Sequence, residues 1–130
     1  MPNTVTVTIP PDPASLHVLR QLTVGVAATL RLTIDDVDDI KLAVDEAASA
    51  MLTRLPGSSA IVLALDTDDG TMRATISSDV QTGEWPTPLL LESLPWKVIT
   101  GLVDAATVER DAIGRPSIVL VKLALPASGR

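Results

Sequence analysis

The stretch Leu42-Ala43-Val44-Asp45-Glu46-Ala47-Ala48-Ser49-Ala50 decides how this chain is read. Its apolar residues recur at helical spacing. With Val37, Ile40 and Met51, Val44 and Ala47 make the buried stripe of a helix expected from about Ile34 to Leu55. Thr33 is an N-cap type, Asp35 and Asp36 stand in the first turn where the helix dipole favours acids, and Pro56-Gly57 stops the helix. Asp45 and Glu46 flank the stripe. A carboxylate held partly out of water can serve as a base. Two solvated acids on a helix flank fit the same spacing, and the pattern does not choose between them. Ala47, Ala48 and Ala50 allow close approach of another helix or of a ligand.

Outward from this helix, the punctuation is clear. Thr4 to Ile9 alternates β-branched residues and reads as a strand, stopped by Pro10, Pro11 and Pro13, with Asp12 placed to cap the next helix. Ala14 to Leu30 is helical by period through Leu16, Leu19, Val26 and Leu30, and Arg20 and Gln21 lie off that stripe. Ser59 to Thr67 and Thr71 to Ser77 flank Asp68-Asp69-Gly70, a hairpin signal. Asp79 to Leu89 reads as a loop. Leu90 to Asp104 reads as a third helix, broken or delayed at Pro95. Ala106 to Ala112 and Ser117 to Leu125 read as strands turned by Gly114-Arg115-Pro116, and the tail Pro126 to Arg130 is expected to fray. The order is β-α-α-β-β-α-β-β. It implies an α+β fold: a two-layer sandwich whose mostly antiparallel sheet is covered on one face by three helices. Residues 1–130 read as a single domain, without repeats or an interdomain linker.

Composition narrows the chemistry. Apolar residues are 46% of 130, enough for a core, and that core is aliphatic because Phe and Tyr are absent and only Trp85 and Trp96 are aromatic. Without cysteine there is no disulfide or thiolate metal site, which suits a reducing cytoplasm. His17 is the only histidine, which argues against a histidine-cluster metal site and a Ser-His-Asp triad; no metal ligand set is read from the sequence. A formal charge of −6 opposes direct contact with nucleic acid or an anionic membrane and favours a basic protein partner. The N-terminus MPNTVTVTIPP has no basic and then apolar signal pattern, and no apolar run nears the roughly 18 residues of a membrane span. A cytoplasmic location is expected.

Two further segments carry information. Ser77-Ser78-Asp79-Val80-Gln81-Thr82-Gly83 sets an acid just past a strand end, ahead of a glycine-bearing loop, which suits receipt of an adenine amino group but equally an ordinary turn. Trp96 to Asp104, running into Ala105 to Glu109, is an apolar helix ended by Asp and followed by a strand.

Together, Val18-Leu19-Arg20, the segment VDDIKLAVDEAASAML and the segment ITGLVDAATVE resemble the anti-sigma-factor serine kinases of bacteria, members of the GHKL (Bergerat-fold, histidine-kinase-like) ATPases. The likeness runs over almost the whole chain. It implies Glu46 as the catalytic base, Asp79 and Gly83 as nucleotide-binding residues, and Arg20 on the helix that contacts protein partners. It implies ATP and Mg²⁺ as cofactors, and a sigma factor and an STAS-type antagonist as partners. It also implies a homodimer, for which the strand TVTVTI offers an edge. The chain departs from the family pattern at three places. Ala50 stands where the Mg²⁺-binding Asn belongs and has no oxygen to offer a hard cation. Gln81 replaces one glycine of the adenine loop. Ser93-Leu94-Pro95-Trp96 replaces the second glycine box, and Pro95 lacks the N–H of a phosphate cradle. These departures resemble the family's divergent branch, typified by a mycobacterial stress-sigma anti-sigma factor. The expected function is therefore sequestration of an alternative sigma factor, with antagonist-driven release and a degenerate nucleotide site. An active ATP-dependent serine kinase acting on the antagonist is the alternative, and composition alone also admits a plain structural or metabolic domain.

Overall fold

The alternating β-branched residues of the first strand pair with a strand that follows two helices later in the chain. In the computed structural model, which describes residues 3–124, β1 (Asn3–Ile9) runs antiparallel to β2 (Ile61–Asp68), with Val7 opposite Leu63 and Ile9 opposite Ile61. β2 turns through Asp69 and Gly70, both at positive φ, into β3 (Thr71–Ser78). β4 (Ala105–Arg110) and β5 (Pro116–Leu123) form the second hairpin, and β5 docks on β3. The sheet order is β1-β2-β3-β5-β4, antiparallel at every pairing. β1 lies at an edge, as its sequence suggests.

The period-2 pattern puts Ile61, Leu63, Leu65, Met72, Ala74, Ile76, Ile118 and Leu120 on one face, all fully buried. The helices α1 (Leu16–Ala27), α2 (Ile34–Arg54), α3 (Pro88–Leu91) and α4 (Leu94–Leu102) pack over that face. α2 lies centrally, packed on both α1 and α4, and buries Ile40, Ala43, Val44, Ala47, Ala48 and Met51 without exposure. Its alanines serve this packing, since small side chains let the helix axes approach. No described element covers the opposite sheet face, which carries Thr6, Ala64, Thr75, Val119 and Thr107 across its middle row.

The structure refines the expected elements at two helix ends. The first helix opens as a 3-10 turn over Pro13–Ser15, with Asp12 capping Ala14, and its α-helical part stops at Ala27. There Thr29 and Leu30 donate to Val26 and Ala27, and these tighter i+3 bonds satisfy the last carbonyls. The single helix expected over Leu90 to Asp104 is two helices. Ser93 is extended (ψ 156°) and caps α4 by accepting from the Trp96 N–H at 3.2 Å, so the break precedes Pro95, which sits in the first turn where its missing N–H costs nothing. A helical layer of four segments thus stands where three were expected. The expected frayed tail, Pro126 to Arg130, lies outside the described residues.

Candidate functional site

α2 presents Glu46 to a small cleft against the start of α4. The cleft is lined by Glu46, Ser49, Ala50, Thr53, Arg54 and Pro95 and holds about 110 Å³. Ala50 is nearly buried, at 7% exposure, and offers only a methyl group to the cleft. At its far wall α4 has few amides left for an anion. The Trp96 N–H goes to the Ser93 hydroxyl, the Lys97 N–H to the Ser93 carbonyl at 3.2 Å, and Pro95 has none. The helix end that would cradle phosphates is therefore closed by its own cap.

Asp79 is elsewhere. Core-facing parity along β3 runs through Met72, Ala74, Ile76 and Ser78, so Asp79 falls on the uncovered face of the sheet. Its Oδ1 accepts the Ser59 N–H at 2.9 Å and the Ala60 N–H at 3.2 Å, and its Oδ2 accepts the Ser59 hydroxyl. These bonds, the Ser59 hydroxyl foremost, hold the carboxyl below the usual aspartate range. The carboxylate thus ties the start of β2 to the end of β3, and shares no lining residue with the Glu46 cleft.

The loop bearing Gln81 and Gly83 is likewise fastened away from that cleft. The Thr82 N–H donates to the Gly114 carbonyl at 2.9 Å, and Arg110 Nη1 donates to the Thr82 carbonyl at 3.2 Å. Both straps lead to the β4–β5 hairpin. Trp85 is buried beside them and donates its indole N–H to the Ser117 carbonyl at 3.1 Å.

Arg20 reaches across from α1. Its Nη1 lies 2.8 Å from Asp45 Oδ1, with the two side chains 42% and 22% exposed. The pair places Arg20 on the outer α1–α2 surface and settles the role of Asp45, which is an ion-pair partner beside Glu46 rather than a second acid facing the cleft. Among the described residues no group of three or more His, Cys, Asp or Glu is arranged to hold a metal ion.

One residue escaped the sequence reading. Lys122 falls on the core face of β5, its side chain only 11% exposed. Its Nζ donates to the Leu102 carbonyl at 2.9 Å and lies 3.5 Å from Asp36 and 3.7 Å from Asp39. It joins the start of α2, the end of α4 and the sheet. The signal was available: in Pro116–Leu123 the alternation that buries Ile118 and Leu120 also points Lys122 inward, opposite an acid-rich helix start.

An antiparallel five-stranded sheet under one helical layer, with a long central helix, is the Bergerat-like arrangement expected from the sequence. The particular likeness is to the crystal structure of the RsbU and RsbW domains of Rv1364c from Mycobacterium tuberculosis, with a TM-score of 0.72 at 20% identity over 96% of this chain. This chain spans 34% of the length of that one, and at such identity the likeness establishes the fold. No family model and no curated protein matches the sequence. No helix among the described residues is long and apolar enough to cross a membrane.

Proposed function

We propose that this chain is an anti-sigma factor of the RsbW-like type. It binds and sequesters an alternative sigma factor in the bacterial cytoplasm, releases it to an STAS-type antagonist, and retains a nucleotide site only in degenerate form. The observation that carries this reading is the Glu46 cleft. About 110 Å³ between Ala50 and Pro95 is well short of the roughly 300 Å³ at which small-molecule pockets begin. With the α4 amides capped and the Asp79 carboxylate engaged at Ser59, the groups that ATP and Mg²⁺ would need do not converge. The acidic surface, net charge −6, favours encounter with basic sigma-factor surfaces. Arg20 supplies a guanidinium on the exposed α1–α2 surface for the partner contact. The exposed edge of β1 is a route to a homodimer.

The kinase reading keeps one supporting observation, the carboxylate of Glu46 at the cleft. Calorimetric titration with ATP and Mg²⁺ separates the two. The sequestration reading expects no saturable heat at millimolar nucleotide; micromolar binding, with phosphate transferred to an antagonist serine and lost in Glu46→Ala, would replace it. For the partner surface, Arg20→Glu should weaken sigma-factor binding at least tenfold, and unchanged affinity removes Arg20 from the interface.

A further inference from the structure

A polar basin unused by this reading lies on the other side of the sheet. Val62, Thr75, Ser77, Asp79, Asp111, Arg115 and Ser117 line an open basin of about 410 Å³, within the range of ligand-sized sites. We propose that this basin takes the guanidinium group of an arginine carried by a basic segment of a partner protein. The surface is opposite the helical layer, away from Arg20, so its occupancy does not depend on sigma-factor binding.

The charge balance selects a cation. Arg115 Nε donates to Asp111 Oδ2 at 2.8 Å, and Asp111 also accepts the backbone N–H groups of Ile113 and Arg115, so these opposite charges match within the hairpin. Asp79 is held by neutral donors only: the hydroxyl of Ser59 and the amides of Ser59 and Ala60. Its charge therefore stays uncompensated in the lining. The same bonds keep both carboxyls below the ordinary aspartate range, so the basin holds its charge well into acid.

Geometry selects guanidinium. A carboxylate offers about four lone-pair sites, and three bonds occupy Asp79, leaving room for one more donor on Oδ2. Val62, Ser77 and Ser117 lie side by side in register on three adjacent strands, and Thr75 stands two residues from Ser77 on the same face. The three hydroxyls offer acceptors spread along the sheet, and Val62 adds an apolar side chain to the lining. A planar group with five N–H donors can use the carboxylate and the hydroxyls together, whereas a compact ammonium cannot span them. A protein segment is favoured over a free amino acid because the same face carries a further acid, Glu109, opposite Ser117 on the neighbouring strand, whereas Asp66 is matched across the strands by Arg73.

The test is an amide NMR titration of the whole chain with the capped tripeptide acetyl-Gly-Arg-Gly-amide, and with its lysine counterpart. The expected result is millimolar binding that shifts the amides of Ser59, Ala60, Ser77, Asp79 and Ser117, is at least threefold tighter for arginine, and weakens with salt. Asp79→Asn keeps an oxygen for the Ser59 and Ala60 amides and should weaken binding at least tenfold. Should that variant fail to fold, the double change Ser77→Val with Ser117→Val, on the uncovered face, should weaken it at least threefold. Equal binding of the lysine peptide, shifts confined to other surfaces, or unchanged affinity in these variants would overturn the assignment. So would the same amides shifting with protein concentration alone, which would mark a second copy as the occupant.

Discussion

Lys122 offers the sharpest check on the packing. Its side chain is 11% exposed on the core face of β5, its ammonium fastened to the Leu102 carbonyl with Asp36 and Asp39 nearby. Lys122→Ala removes three methylenes of the stem, worth about 2.4 kcal/mol at about 0.8 kcal/mol each. It also strips the end of α4 of a donor, about 1 kcal/mol net for such a bond. The carboxylates, 26% and 40% exposed, turn to water and add little. The total is about 3 kcal/mol. Lys122→Met keeps most of the stem and removes the cost of dehydrating an ammonium, so its loss should be about 1 kcal/mol or less. In urea, with a slope of about 1.5 kcal/mol per molar, the alanine variant should unfold about 2 M earlier than the parent and the methionine variant within about 0.7 M of it. Equal losses in the two variants would refute the argument, because charge rather than buried stem would then set the cost. Losses below about 0.5 kcal/mol in both would place Lys122 at the surface.

The remaining expectations are simpler. Ser93→Ala deletes the cap on the Trp96 amide and should cost about 1 kcal/mol in urea unfolding; no change would mean that α4 begins elsewhere. Asp79 and Asp111 have lowered folded pKa values, from the Ser59 hydroxyl in the first case and the Arg115 amide in the second, so the stability they add is present above the unfolded value of 3.8 and lost as pH falls through the folded values. Asp79→Asn should therefore show a shallower loss of urea midpoint below about pH 4, and an unchanged acid profile would dismiss these bonds as a source of stability. Ala50→Asn installs the side chain that the resembled kinases use to bind Mg²⁺ but leaves Pro95 and a cleft of about 110 Å³, so titration with ATP and Mg²⁺ should still give no saturable heat. Recovery of binding by that single change would show the cleft to be open to nucleotide.

Periodicity was enough for the elements themselves. Twenty-one residues of consistent helical spacing between Thr33 and Leu55 leave one reading for α2, and strict alternation with an Asp-Gly turn leaves one for the β2–β3 hairpin, because burial of one face must follow the backbone's own repeat. The three off-pattern positions, Ala50, Gln81 and Pro95, were equally legible, since a missing oxygen or N–H is a property of the residue alone. Other features depended on where separate elements meet. Whether an acid one residue past a strand core faces the helices or the open side turns on a single step of parity, and at Ser78–Asp79 that step sends the carboxylate to Ser59 rather than toward Glu46. Asp45 reads either as part of an acidic pair or as a solvated flank acid until Arg20, 25 positions earlier, is brought within 2.8 Å of it. Alternation alone turns Lys122 inward, but its partners at Leu102, Asp36 and Asp39 exist only once α2 and α4 close over it. Local repeats specify the elements because they act within a few residues. Which charges cancel, which carboxylates are occupied and how much space a cleft keeps are set by contacts between residues far apart in the chain, and those exist only once the layers have packed.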